Sequence, residues 1–113
     1  MATSTIKNPY RMTATKLWEN DDATTFSAQT VTIDLSDYVL VMIHFKTHNN
    51  SGNIFETVLP TGYEVRAQVW SDPSTFYSRR FTTRQANIQF YAGATNGSVD
   101  NTAVVPFRIY GIK

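Results

Sequence analysis

Cysteine is absent from this 113-residue chain, so neither a disulfide framework nor a cysteine-based zinc site can hold the fold together. Stability has to come from packing. An excess of one charge is missing too: ten basic and nine acidic residues give a formal +1, with no like-charged block longer than two. That balance argues against a duplex-binding surface working by counterion release, so nucleic acid is not expected as a partner. No segment approaches the roughly 20 apolar residues of a membrane-spanning helix, and Met1 to Ile6 lacks the basic start and apolar stretch of a signal peptide. A soluble, unexported protein with no membrane span is expected.

What the chain has in quantity is alternation. In Gln29 to Leu35, the apolar Val31, Ile33 and Leu35 share one face against Thr30, Thr32 and Asp34. In Ala86 to Tyr91, Ala86, Ile88 and Phe90 oppose Asn87, Gln89 and Tyr91. A period of two reads as half-buried antiparallel strand. Eight such segments are predicted: Thr13 to Glu19, Gln29 to Leu35, Val39 to Thr47, Ile54 to Leu59, Tyr63 to Trp70, Thr75 to Thr83, Ala86 to Tyr91 and Ala103 to Ile112. Between them, 49–53 and 93–98 supply residues that tolerate positive φ, while Pro60-Thr61-Gly62 and Asp72-Pro73-Ser74 preset tight turns. The expected fold is all-β, an antiparallel two-sheet sandwich, jelly-roll-like, with about eight strands. Residues 1–12 read as an N-terminal arm or attachment segment and residues 13–113 as the sandwich domain.

One segment breaks the simple pattern. Val39, Val41, Ile43 and Phe45 form a core stripe, but Leu40 and Met42 make the opposite face apolar before it turns polar at His44 and Lys46. Such a second face needs a cover, either a loop or the N-terminal arm, or a subunit interface. Leu40 and Met42 are therefore the candidate oligomer contacts.

Catalytic signals are weak. His44 and His48 share a strand face but lie about 13 Å apart on an extended chain, too far for one ion without a bend; no metal site and no cofactor is expected. Asp34, Asp37, Glu56 and Glu64 offer carboxylates, but nothing selects a pair for glycoside hydrolysis. There is no Gly-x-Ser-x-Gly elbow and no phosphate-cradling glycine loop. No catalytic residue is assigned.

Binding signals are stronger, because 13% of the chain is aromatic and some rings fall out of phase with the core. With Tyr63, Val65, Ala67 and Val69 facing inward, Trp70 joins Glu64, Arg66 and Gln68 on the outer face. Tyr77 and Arg79 share a face in the next segment, and Tyr91 sits on the polar face of its strand. Rings beside amide and guanidinium groups suit sugar faces and protein partners. Trp70, Tyr77, Arg79 and Tyr91 are the ligand-contact candidates; the alternative is that Trp70 and Tyr77 cap the open end of the sandwich.

Three stretches carry a family resemblance. Leu17-Trp18-Glu19-Asn20, the run Phe26-Ser27-Ala28-Gln29-Thr30-Val31-Thr32-Ile33-Asp34-Leu35-Ser36-Asp37-Tyr38, and the closing Phe107-Arg108-Ile109-Tyr110-Gly111-Ile112-Lys113 resemble the framing strands of small β-structured virion proteins of tailed bacteriophages and prophages. The likeness covers about residues 16–113, loosely in the middle, and its motifs are packing and turn signatures. It implies a non-enzymatic structural protein located in the virion: a fibre-tip, head-fibre or decoration domain. It further implies a homotrimer, other virion proteins as partners, and host-surface glycan met by multivalent receptor binding. A carbohydrate-binding module of a cell-wall-associated system is the alternative function.

Overall fold

The computed structural model of the protein describes residues 12–47 and 54–113. The predicted arm, apart from Met12, lies outside the described residues, as does His48. Strands dominate, and no helix occurs among the described residues. They are β1 (Ala14–Glu19), β2 (Gln29–Thr32), β3 (Leu40–Lys46), β4 (Ile54–Leu59), β5 (Glu64–Asp72), β6 (Thr75–Thr83), β7 (Asn87–Thr95), β8 (Ser98–Val99) and β9 (Val105–Ile112). One antiparallel sheet has the order β1-β9-β3-β4, and the other β2-β7-β6-β5 with β8 added beside β7. The β-sandwich expected from the alternation is the architecture. The first three strands alternate between the sheets, whereas β3–β4 and β5–β6–β7 stay in one sheet as hairpins.

Alternation explains the core directly. Val41, Ile43 and Phe45 on β3, Phe81 on β6, Ile88 and Phe90 on β7 and Ile109 on β9 are all fully buried. Rings bridge the two sheets: Phe45 lies 5.7 Å from Phe81, which lies 5.8 Å from Phe90. Burying a side chain of this size stabilises by about 1.5–3 kcal/mol, so this layer supplies most of the cohesion that disulfides cannot.

Departures from the predicted pattern have local causes. β2 ends at Thr32, yet Ile33 and Leu35 stay buried because their N–H groups donate to the carbonyls of Ala86 and Gln85 at 3.2 and 2.7 Å. Ala86, predicted to face inward, is exposed in the turn before β7. Val39 is also not a core residue: it is 60% exposed, because it precedes β3 and the ring of Tyr38 folds over Gly111 instead. Tyr63 is 57% exposed for a related reason. Its main chain is held just ahead of β5, where Thr83 donates to the Tyr63 carbonyl at 2.9 Å, while its ring turns outward.

The break predicted at 93–98 narrows to two residues. Gly93, Ala94 and Thr95 continue β7; Asn96 and Gly97, at φ of 49° and 85°, form the tight connection to β8, a ninth strand that the alternation was too short to reveal. Pro106, which has no N–H to donate, sits in the interior strand β9 beside the register shift opposite His44 and Phe45, where the ladder is already interrupted.

Candidate functional site

Antiparallel pairing of β5 and β6 sorts their side chains into two faces. Val69/Tyr77, Ala67/Arg79 and Val65/Phe81 pair on the core side; Trp70/Phe76, Gln68/Ser78, Arg66/Arg80 and Glu64/Thr82 pair on the outer side. Asp72 closes the turn opposite Thr75, and a bulge between Trp70 and Asp72 then shifts the register of the pairs beyond it. Its carboxylate accepts the N–H and hydroxyl of Ser74 at 2.8 and 3.0 Å, and these bonds hold it below the usual aspartate range.

Trp70 lies on the outer face as predicted, 55% exposed, with its ring 4.8 Å from that of Phe76. It stands at the rim of a cleft of about 570 Å³ between the free edges of the two sheets. The cleft is lined by Ile54 and Phe55 of β4, Val69, Trp70 and Ser71 of β5, and Tyr77 of β6. An exposed indole backed by a half-buried phenyl ring beside such a cleft can stack a flat ligand face while polar edges hydrogen-bond to it.

Two of the predicted contacts are corrected. Tyr77 points to the core side and is buried, so it lines the inner wall of the cleft and does not share Trp70's surface. Arg79 also points inward and is only 1% exposed, which removes it as a surface contact. Its Nε donates to the Val104 carbonyl and its Nη1 to the Tyr91 carbonyl, both at 2.7 Å. Its Nη2 donates to the carbonyls of Ala103 and Asn101 at 3.2 and 3.4 Å. Burial brings this guanidinium down to about 10, opposed by the nearby Asp100 carboxylate. It remains a cation at neutral pH, and its work is to hold the loop before β9.

Tyr91 is half-buried under a neighbour: the Arg80 guanidinium lies over its ring at 4.0 Å. Arg66 pairs directly with Arg80 across the strands, and both border a second depression of about 280 Å³ that Ser78, Tyr91 and Gly93 also line. The sequence reading missed this juxtaposition. Counting outward from the Asp72-Pro73-Ser74 turn would have set Arg66 opposite Phe81; a bulge between Trp70 and Asp72 shifts the register by one residue and brings Arg66 opposite Arg80.

The other candidates lie on the far sheet. Leu40 and Met42 are half-buried on the outer face of β1-β9-β3-β4, where they pair with Ile112 and Tyr110 of β9, and Met42 also with Val58 of β4. His44 continues that face, 5.0 Å from the Tyr110 ring, with Nε2 3.3 Å from Glu56 Oε2. Among the described residues no group of three His, Cys, Asp or Glu could hold a metal ion, and no helix is long and apolar enough to cross a membrane.

Contacts near the two ends of the described chain tie the sheets together. Trp18 meets Phe26 edge-on at 5.9 Å, Phe26 meets Phe90 at 5.5 Å, and Asn20 Nδ2 donates to the Pro106 carbonyl at 3.1 Å. Comparison with known protein families and with curated proteins finds no match for this chain.

Proposed function

We propose that this chain is a non-enzymatic structural and adhesive domain of a bacteriophage particle, meeting a host-surface glycan through the outer face around Trp70. The observation that carries the reading is the exposed Trp70 ring, backed by Phe76 at the mouth of the inter-sheet cleft. An indole left wet beside a cleft offers a large rigid apolar face, and a sugar ring that covers it is the physical complement. The phage assignment draws its support from the framing motifs at Trp18, Asn20, Phe26 and Gly111. The same reading makes the protein a homotrimer. The apolar face of Leu40, Met42, Tyr110 and Ile112 is its subunit contact, and several weak glycan sites act together on one cell surface.

The test is binding of bacterial surface oligosaccharides to the whole protein by calorimetry or on an array. Trp70→Ala should weaken retained glycans by about tenfold or more, the scale of a lost aromatic anchor. Failure to retain any glycan would overturn the adhesive reading. A second reading, a carbohydrate-binding module of a cell-wall-associated system, is favoured by the same ring. The two part on assembly: the module binds as a monomer, the particle domain as an oligomer.

A further inference from the structure

We infer that the glycan read at Trp70 is acidic, its anionic group held by Arg66 and Arg80 in the depression beside Tyr91. This rests on the glycan-binding reading above and names the substrate class of that site. Arg66 and Arg80 stand directly opposite each other on an antiparallel pair, an arrangement that repels unless something negative lies between or beside the charges. Glu64 answers only one of them: its carboxylate reaches Arg80 Nε at 3.9 Å. Arg66 has no ion-pair or hydrogen-bond partner among the described residues. One carboxylate thus answers one of two facing cations, next to an open depression of about 280 Å³.

The geometry favours capture of an oxyanion. The Arg80 guanidinium lies over the Tyr91 ring at 4.0 Å, a contact that restrains the side chain before it engages a carboxylate or sulfate. Arg66, Gln68 and Trp70 follow one another on the same face of β5, and a four-residue step along a strand places Arg66 about 13 Å from Trp70. A sugar ring on Trp70, an amide contact at Gln68 and a charged substituent at the arginine pair then fall in one line. A chain of several sugars carrying carboxylate or sulfate groups fits that line.

The experiment uses the full chain and four probes: oligogalacturonate, its methyl ester, sulfated dextran and polyglutamate. Oligogalacturonate should bind more tightly than its ester and weaken with salt. The double variant Arg66→Gln/Arg80→Gln should weaken it about tenfold while leaving the ester unchanged. Both arginines are exposed, so the variant keeps its circular dichroism spectrum and melting temperature. Tighter binding of sulfated dextran, lost in the same variant, also supports the subsite and assigns sulfate as its anion. Equal affinity for acid and ester together with no arginine-dependent binding of sulfated dextran, or polyglutamate binding as tightly as the acidic sugar probe, overturns the inference. If Trp70→Ala abolishes binding while the arginine variant changes nothing, glycan binding stands and the acidic specificity falls; if no glycan binds wild-type protein, both fall.

Discussion

Arg79 Nε donates to the carbonyl of Val104 at 2.7 Å, and Val104 holds a φ of 50°. A β-branched residue in the left-handed region is an outlier that costs about 1–3 kcal/mol, and it persists only where its surroundings over-determine it. Arg79 supplies that surrounding. Its donors reach the carbonyls of Tyr91, Asn101, Ala103 and Val104, and Gly93 leaves room for them, since a Cβ there would meet the Ala103 carbonyl at 2.5 Å and Arg79 Nη2 at 2.7 Å. One buried cation thus sets the approach to β9, the strand at the centre of its sheet.

Replacing that cation should be costly. Arg79→Met keeps much of the buried volume but strips the donors from a buried set of carbonyls, and a loss of about 3–5 kcal/mol is expected. Urea denaturation would show it as a lower midpoint. Arg79→Lys should recover only part, because a point charge cannot serve acceptors spread around a planar fork; full recovery would contradict the assignment.

Gly111 and Tyr38 should behave as a coupled pair. A Cβ at Gly111 would fall 2.6 Å from Cδ2 of the Tyr38 ring, so Gly111→Ala is expected to destabilise by about 1–3 kcal/mol. Removing the ring frees that space. The double variant Tyr38→Ala/Gly111→Ala should lose less than the sum of the singles by at least about 0.5 kcal/mol in a denaturation cycle.

Asn96 does two jobs in the β7–β8 turn: it takes φ of 49°, and its side-chain oxygen accepts the Phe76 N–H at 2.9 Å. Asn96→Ala loses both and should cost about 1–2 kcal/mol. Asn96→Gly keeps the backbone freedom but not the acceptor, so its melting temperature should lie between those of the alanine variant and the wild type.

Acid should loosen the turns in particular. Asp34 accepts the N–H and hydroxyl of Ser36 at 3.0 and 2.6 Å, and Asp72 accepts those of Ser74. Hydrogen bonds hold both carboxyls below the ordinary 3.8. The fold therefore resists protonation that the unfolded chain accepts. Their stabilisation is fully present above the ordinary value and is lost as pH falls through the lowered ones. Melting temperature should drop between about pH 4 and pH 2, and Asp34→Asn/Asp72→Asn should flatten that slope.

Assembly is checked at Met42, whose side chain lies on the sheet face away from the core. Met42→Glu should shift the protein from oligomer to monomer by sedimentation velocity while leaving the circular dichroism spectrum intact. A wild-type protein that sediments as a monomer at micromolar concentration would remove the subunit contact from the proposal.

Alternation along the chain was sufficient to reveal the all-β class, the six-residue span of β4, the nine-residue span of β6 and the outward face of Trp70, because strand side chains alternate whatever the neighbours are. It also placed Val41, Ile43 and Phe45 in the core correctly. Where a segment ends was less legible: Val39, Tyr63 and Ala86 continue the apolar phase in sequence but lie just outside their strands, and are exposed. Parity says which way a side chain points, and only the opposite sheet decides whether anything lies there to cover it. The fate of the arginines shows the same division. Arg66, Arg79 and Arg80 look alike in a sequence, yet tertiary structure buries Arg79 against four carbonyls and leaves Arg66 facing Arg80 in the open. Long-range carbonyl placement and cross-strand register are properties of the folded pair of sheets, and no local periodicity encodes them.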